Sequence, residues 1–186
     1  MAGHKKSLRG RLLLDGGNLA GSWFHRTVVL VCQHDAEGAF GLVLNRPAGS
    51  LLGDAVVASL PAPLQELPLY VGGPVQSGAL SYLHGDAQLP EPGVLPNLGL
   101  GHSLESLVEL AENAARVRQI RVFAGYSGWS AGQLDDEIAR QAWLVEPADI
   151  KLVMGADPAS LWSRVLRSKG GLFRLLAELP EDPASN

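Results

Sequence analysis

Hydrophobic residues in this chain come in short blocks, and their spacing alternates between the every-other-residue pattern of strands and the three-to-four-residue pattern of helices. The clearest block is Thr27 to Gln33, TVVLVCQ, apolar on both alternating faces as in an interior strand covered on both sides. Ala39 to Asn45, AFGLVLN, repeats the pattern after the polar segment His34 to Gly38, which has hairpin length and ends in glycine. The two strands are therefore predicted to pair antiparallel. Arg11 to Asp15, Leu69 to Val71, Leu80 to His84, Ile120 to Ala124, Ala142 to Val145 and Ile150 to Val153 read as further strands.

Helical signals lie between them. Ser103 is an N-cap for a helix running to about Val117, with Leu104, Leu107, Val108, Leu110 and Ala111 on one stripe. Gly132 to Arg140 suits a short helix whose first turns carry Asp135, Asp136 and Glu137, carboxylates that oppose the positive end of the helix dipole. Asp157-Pro158 starts a helix and Gly170-Gly171 stops it. Pro47 is expected to end the second hairpin strand, Ser50 to cap a short helix to about Ser59, and Pro61, Pro63 and Pro68 to hold the next stretch extended. Gly85 to Gly101 reads as a long loop, with Gly93 to Leu95 as a strand that has no assigned partner. No repeat or linker divides the succession, which predicts one domain over residues 10–179 between flexible tails at 1–9 and 180–186.

At 186 residues, with 46% hydrophobic and 18% charged content, the chain can bury a full core without disulfides. A net charge of -4 argues against broad attraction to nucleic acid or anionic membrane. The single cysteine, Cys32, points to a reducing cytoplasm, and no apolar run is long enough for a transmembrane helix.

Phe123 to Leu134, FAGYSGWSAGQL, concentrates Gly125, Gly128 and Gly132 around Tyr126 and Trp129. It reads as a strand leaving the core, a tight turn and a helix entry, with both aromatics at a rim that is half wet and half available to a ligand. A turn whose aromatics merely cap the sheet is the plainer reading of the same residues. Cys32 and His34 are the one pair that hints at nucleophilic or redox chemistry. Two residues apart on a strand, they share a face at roughly 6.5 to 7 Å, and a thiol in an apolar strand is more often an inert packed group. His34, Asp35 and Glu37 lack the spacing of a metal site, and no phosphate-binding or dinucleotide loop appears, so no metal and no cofactor are assigned. Arg164, Arg167, Lys169 and Arg174 form a basic cluster without a helix-turn-helix around it; direct DNA binding is the third-ranked reading.

Four segments together resemble the YqgE/AlgH family of bacterial proteins: TVVLVCQHDAEGAFGLVLNRP at 27–47, YVGGPVQ at 70–76 with His84 after it, RVFAGYSGWSAGQLDDEI at 121–138, and Trp143 in AWLVEP. The resemblance implies a single-domain α/β (α+β) fold, a bent, mixed or antiparallel sheet forming a partial barrel with flanking helices. It implies no particular activity; the family's usual description is transcriptional regulator. Its motif positions here are Asn45, Arg46, Gly72, Gly73, Pro74, Tyr126, Gly128, Trp129, Gly132 and Gln133. Two departures stand out: DGGNLAGSWF at 15–24 replaces an alanine-x-proline motif and an aspartate, and Asp135 stands where glutamate is frequent.

These positions are expected to line one hollow that binds a small ligand or a protein partner. Asn45 and Arg46 would recognise an anionic or amide group, Gly72 and Gly73 would offer backbone donors, and Tyr126, Trp129 and Gln133 would orient the bound molecule. A cytoplasmic accessory or regulatory protein, more a binder than an enzyme and acting on transcription indirectly, is the leading expectation. A thiol enzyme or redox sensor using Cys32 and His34 is the second. Oligomeric state is left open.

Overall fold

A computed structural model describes residues 6–85, 93–112, 114–117 and 119–180. The fold is a single α+β domain built on one bent, mixed sheet. In chain order its strands are β1 (Arg11–Asp15), β2 (Val28–Asp35), β3 (Gly38–Val43), β4 (Pro47–Leu51), β5 (Pro68–Val71), β6 (Val75–Gly85), β7 (Leu98–Gly101), β8 (Ile120–Ser130) and β9 (Trp143–Pro147). The helices are α1 (Leu52–Ala55), α2 (Ala62–Gln65), α3 (Leu104–Ala111), α4 (Ala114–Val117), α5 (Gln133–Ala139), α6 (Ile150–Gly155), α7 (Pro158–Lys169) and α8 (Gly171–Glu178).

The predicted hairpin forms, with β2 and β3 antiparallel and a bulge between Val31 and Gln33. Its double-sided apolar pattern has a direct reading in the packing. Val28, Leu30 and Cys32 face a core shared with α6 and α7, while Val29 and Val31 face a second core with Trp129, Leu134 and Trp143 under α5. β1 and β9 continue this half of the sheet.

β8 forks the sheet. Residues 122–124 run parallel to β5, residues 120–126 pair with β6, and residues 127–130 cross to β3. The path β4-β5-β8-β3-β2-β1-β9 ends in two different strands, so the sheet bends without closing. Gly125 is the pivot, at φ +69°, and a Cβ there would meet the Gly73 carbonyl oxygen at 2.7 Å. The glycine-aromatic run is thus strand through Ser130 rather than a turn; the turn comes only at Ala131-Gly132, before α5.

Other expectations shift for local reasons. Ile150 to Val153 is helix, because Asp149 accepts a hydrogen bond from the Leu152 amide at 2.8 Å and caps α6. Ser50 lies in edge strand β4; the N-cap of α1 is the next residue, Leu51, whose amide donates to the Asp54 carboxylate at 3.0 Å. Pro63 sits in the first turn of α2, where its missing N–H costs nothing. The loop expected at 85–101 gives up its ends to β6 and to β7; Leu95 makes only an isolated bridge to Leu98, and residues 86–92 lie outside the described residues. Ser103 caps α3 as predicted. The inner end of the expected N-terminal tail is held to the hairpin, since Ser7 Oγ donates to the His34 carbonyl and the Leu8 amide to His34 Nδ1.

Candidate functional site

The residues singled out in the sequence separate into two groups. Trp129 pairs with Ala39 at the turn end of the hairpin, whereas Asn45 and Arg46 follow the other end of β3. Ala39 and Asn45 are six steps apart along a stretch that is strand as far as Val43, which puts up to roughly 20 Å between the groups.

The Trp129 group is a clamp around Glu137. Trp129 is 7% exposed and Trp143 5%, so both are buried rather than at a rim. Both indole N–H groups donate to Glu137 Oε2 at 2.8 Å, and Gln133 Nε2 donates to Oε1 at 2.9 Å. Gln133 also accepts from the Ser130 amide at 3.0 Å, which fastens the end of β8 to α5. Gly132 supplies the left-handed entry to that helix at φ +74°. Tyr126 is half-buried and stacks on Phe40 at 5.0 Å, with Gly128 exposed beside it.

Gly72 and Gly73 meet β8, but as packing and not as open donors. Both are buried; the Gly72 amide donates to Ala124 O, and its carbonyl accepts from the Val43 amide and from Ser127 Oγ. A Cβ on Gly73 would fall 2.0 Å from the Tyr126 carbonyl carbon, so glycine is required by close backbone approach. Pro74 beyond them is exposed.

The Cys32–His34 pair does not form a catalytic couple. Cys32 is 1% exposed, its thiol directed at the Leu30 carbonyl, and desolvation holds its pKa far above the ordinary thiol value. His34 is occupied elsewhere: Nδ1 accepts from the Leu8 amide at 3.0 Å and Nε2 stands 3.9 Å from Asp135. Among the described residues, no three His, Cys, Asp or Glu side chains gather as metal ligands.

Asn45 and Arg46 instead border a cavity of about 620 Å³ that the sequence alone did not assemble, walled by Trp23, His25, Arg26 and Trp162 as well. Asn45 holds its rim together, accepting from the Val28 amide and donating to the Arg26 carbonyl, both at 2.8 Å. The Arg46 guanidinium lies over the Trp23 ring at 4.1 Å, and that of Arg26 over Trp162 at 4.8 Å. Arg26 also donates to the Leu179 and Pro180 carbonyls at 2.7 Å, which locks the C-terminal end of α8 onto the wall.

Behind this wall lies Asp15, fully buried and missed in the sequence except as part of a turn. Its carboxylate accepts from the amides of Gly17, Leu19 and Arg26 at 2.8 to 3.1 Å and faces His25 Nδ1 at 3.2 Å. Its carbonyl accepts from the Trp162 indole at 2.9 Å. One residue therefore holds the path of the 15–27 loop and ties Arg26 and Trp162, which form one cationic wall, to each other. No described residue lining the cavity is acidic.

Comparison with known proteins places this arrangement in a family. Residues 12–174 match the AlgH-like family, DUF179. The chain belongs to that family. A UPF0301 protein of Chlorobium luteolum is 38% identical over 188 residues, covering 98% of this chain and 97% of the relative. One from Chlamydia felis is 34% identical, covering 94% and 93%. The solution structure of the AlgH protein from Pseudomonas aeruginosa superposes with a TM-score of 0.74 at 30% identity, covering 96% of this chain and 99% of that one. A crystal structure from Corynebacterium diphtheriae shares the fold at a TM-score of 0.73 and 22% identity, covering 95% and 94%. Within this AlgH-like fold the atypical loop 15–24 is a built element, since Asp15 supplies its internal acceptors.

Elsewhere, two members of the basic C-terminal cluster have carboxylate partners, Lys169 with Glu146 and Arg174 with Glu178 at 3.8 Å. Among the described residues no helix is long and apolar enough to cross a membrane.

Proposed function

We propose that this member of the AlgH-like family is a binding protein rather than an enzyme, and that it takes a small anionic ligand in the cavity between Arg26 and Arg46. The observation that carries the reading is the pair of guanidinium groups, each placed over a tryptophan ring, that border one cavity without acidic lining among the described residues. Arg26 spends one nitrogen on the Leu179 and Pro180 carbonyls and Arg46 one on the His25 carbonyl at 3.5 Å, so both guanidinium groups are positioned beforehand, which lowers the entropy lost when a carboxylate or phosphate binds. The volume lies within the range of small-molecule sites. Ligand occupancy would act through α8, whose last carbonyls are held by Arg26; the regulatory role, in the cytoplasm and through a protein partner, rests on that connection. The exposed Leu172 and Leu175 of α8 are the surface such a partner would meet.

Pyrophosphate, citrate and anthranilate, titrated against intrinsic tryptophan fluorescence, test the proposal, because Trp23 and Trp162 touch the two arginines. At least one anion is expected to quench saturably, and Arg46→Gln to weaken it by about tenfold or more. Identical titrations for the wild type and the folded variant, or no response to any of the three, would remove the ligand site.

A further inference from the structure

A further cation lies in the interior, beside a cavity that shares no lining residue with the one bordered by Arg26 and Arg46. Arg121 on β8 is 6% exposed. Its guanidinium donates to the carbonyls of Leu44, at 2.7 Å, and Val153, and lies over the Tyr70 ring at 4.2 Å. No carboxylate among the described residues is within ion-pair distance of it. Carbonyl dipoles and a ring face supply partial charges only, and a full positive charge in so dry a place is costly without a counter-charge. Burial correspondingly lowers the Arg121 pKa, with the Tyr70 phenol offsetting part of the effect.

Arg121 and Tyr70 also border a cavity of about 370 Å³ whose remaining walls are largely apolar, among them Leu67, Val117, Ile120 and Met154. Asp157 also lines it, but this carboxylate is exposed and caps α7 through the Ala159 amide. One buried guanidinium at the end of an apolar chamber matches a single anionic head on an apolar body. A phosphate dianion would need more donors than this chamber offers, and a fully polar anion would leave the apolar walls unused.

We infer that the chamber beside Arg121 is a binding site for a monocarboxylic acid with an apolar body. The carboxylate pairs with the Arg121 guanidinium where it borders the cavity beside Tyr70, and the apolar body lies against Ile120, Val117 and Met154. No residue lines both cavities, so variants in one leave the lining of the other intact and either reading can fail alone.

Octanoate is the probe, with 1-octanol as its neutral counterpart and inorganic phosphate as an anion without an apolar body. Amide shifts followed by NMR should saturate with octanoate at Tyr70, Ile120 and Met154, and binding of octanol and of phosphate should be at least about tenfold weaker. Arg121→Met should weaken octanoate by a similar factor. Met154→Trp, which fills the chamber and leaves the guanidinium in place, should abolish the shifts. If Arg121→Met does not fold, Met154→Trp and the octanol comparison decide. The inference is overturned by an absence of saturable shifts, by octanol or phosphate binding as well as octanoate, by shifts confined to Trp23 and Arg46, or by unchanged binding in Met154→Trp.

Discussion

Truncating Glu137 to alanine removes the acceptor for two indole N–H groups at once, and the structure sets the size of the effect. Trp129 and Trp143 are nearly buried and each donates at 2.8 Å to the same oxygen, Oε2. A buried donor left without an acceptor costs about 1 to 3 kcal/mol, and these bonds are charge-assisted. Glu137 itself is only half-buried, so water can reach part of the vacated space and the lower half of that range applies. Two donors then give roughly 2 to 4 kcal/mol for Glu137→Ala, or a fall of about 4 to 16 °C in Tm for a domain of this size. Glu137→Gln keeps an acceptor oxygen and loses the charge, which predicts a loss of about 1 to 2 kcal/mol. Urea unfolding read by tryptophan fluorescence measures both variants, and a double-mutant cycle with Trp129→Phe isolates one of the two bonds. The clamp is refuted if Glu137→Ala lies within about 0.5 kcal/mol of the wild type, or if glutamine costs as much as alanine.

Three further outcomes are expected. Gly73→Ala places a Cβ against the Tyr126 backbone and should cost more than about 4 kcal/mol or prevent folding, seen as lost soluble yield, whereas Gly78→Ala, where a Cβ meets nothing within 4 Å, should cost about 1 kcal/mol or less. Burial raises the Cys32 pKa in the folded state, so the neutral thiol's contribution is complete below the unfolded pKa and is lost as pH rises above about 9. Stability should fall there by up to about 1.4 kcal/mol per pH unit, and Cys32→Val should remove that part of the slope in unfolding measured between neutral and alkaline pH. Asp15→Asn replaces an acceptor-only carboxylate with an amide whose NH2 must face a backbone donor, and should cost about 2 to 3 kcal/mol with faster hydrogen exchange at Gly17, Leu19 and Arg26; unchanged protection at all three would show that the loop does not depend on this carboxylate.

Elements that depend on near neighbours were legible in the sequence. The 27–45 hairpin announces itself through doubly apolar strands around a short polar turn, and α7 through an aspartate cap, a first-turn proline and a terminal glycine, all acting within a few residues. The course of β8 was not, because glycines that look like punctuation are there to let β5 and β6 come within touching distance of it, a requirement set by chain far away. Ile150 to Val153 failed for the opposite reason: a four-residue apolar run has no period of its own, and Asp149 decides it. The motif residues were legible as a group, yet only the coordinates show that Trp129 and Gln133 close a structural clamp while Arg46, stacked on Trp23, borders a cavity with Arg26 and Trp162. Local propensity and turn chemistry are written along the chain. Which distant side chains share a wall, and which buried charge meets carbonyls and a ring instead of a carboxylate, depends on how the sheet forks and where α6 and α7 pack upon it.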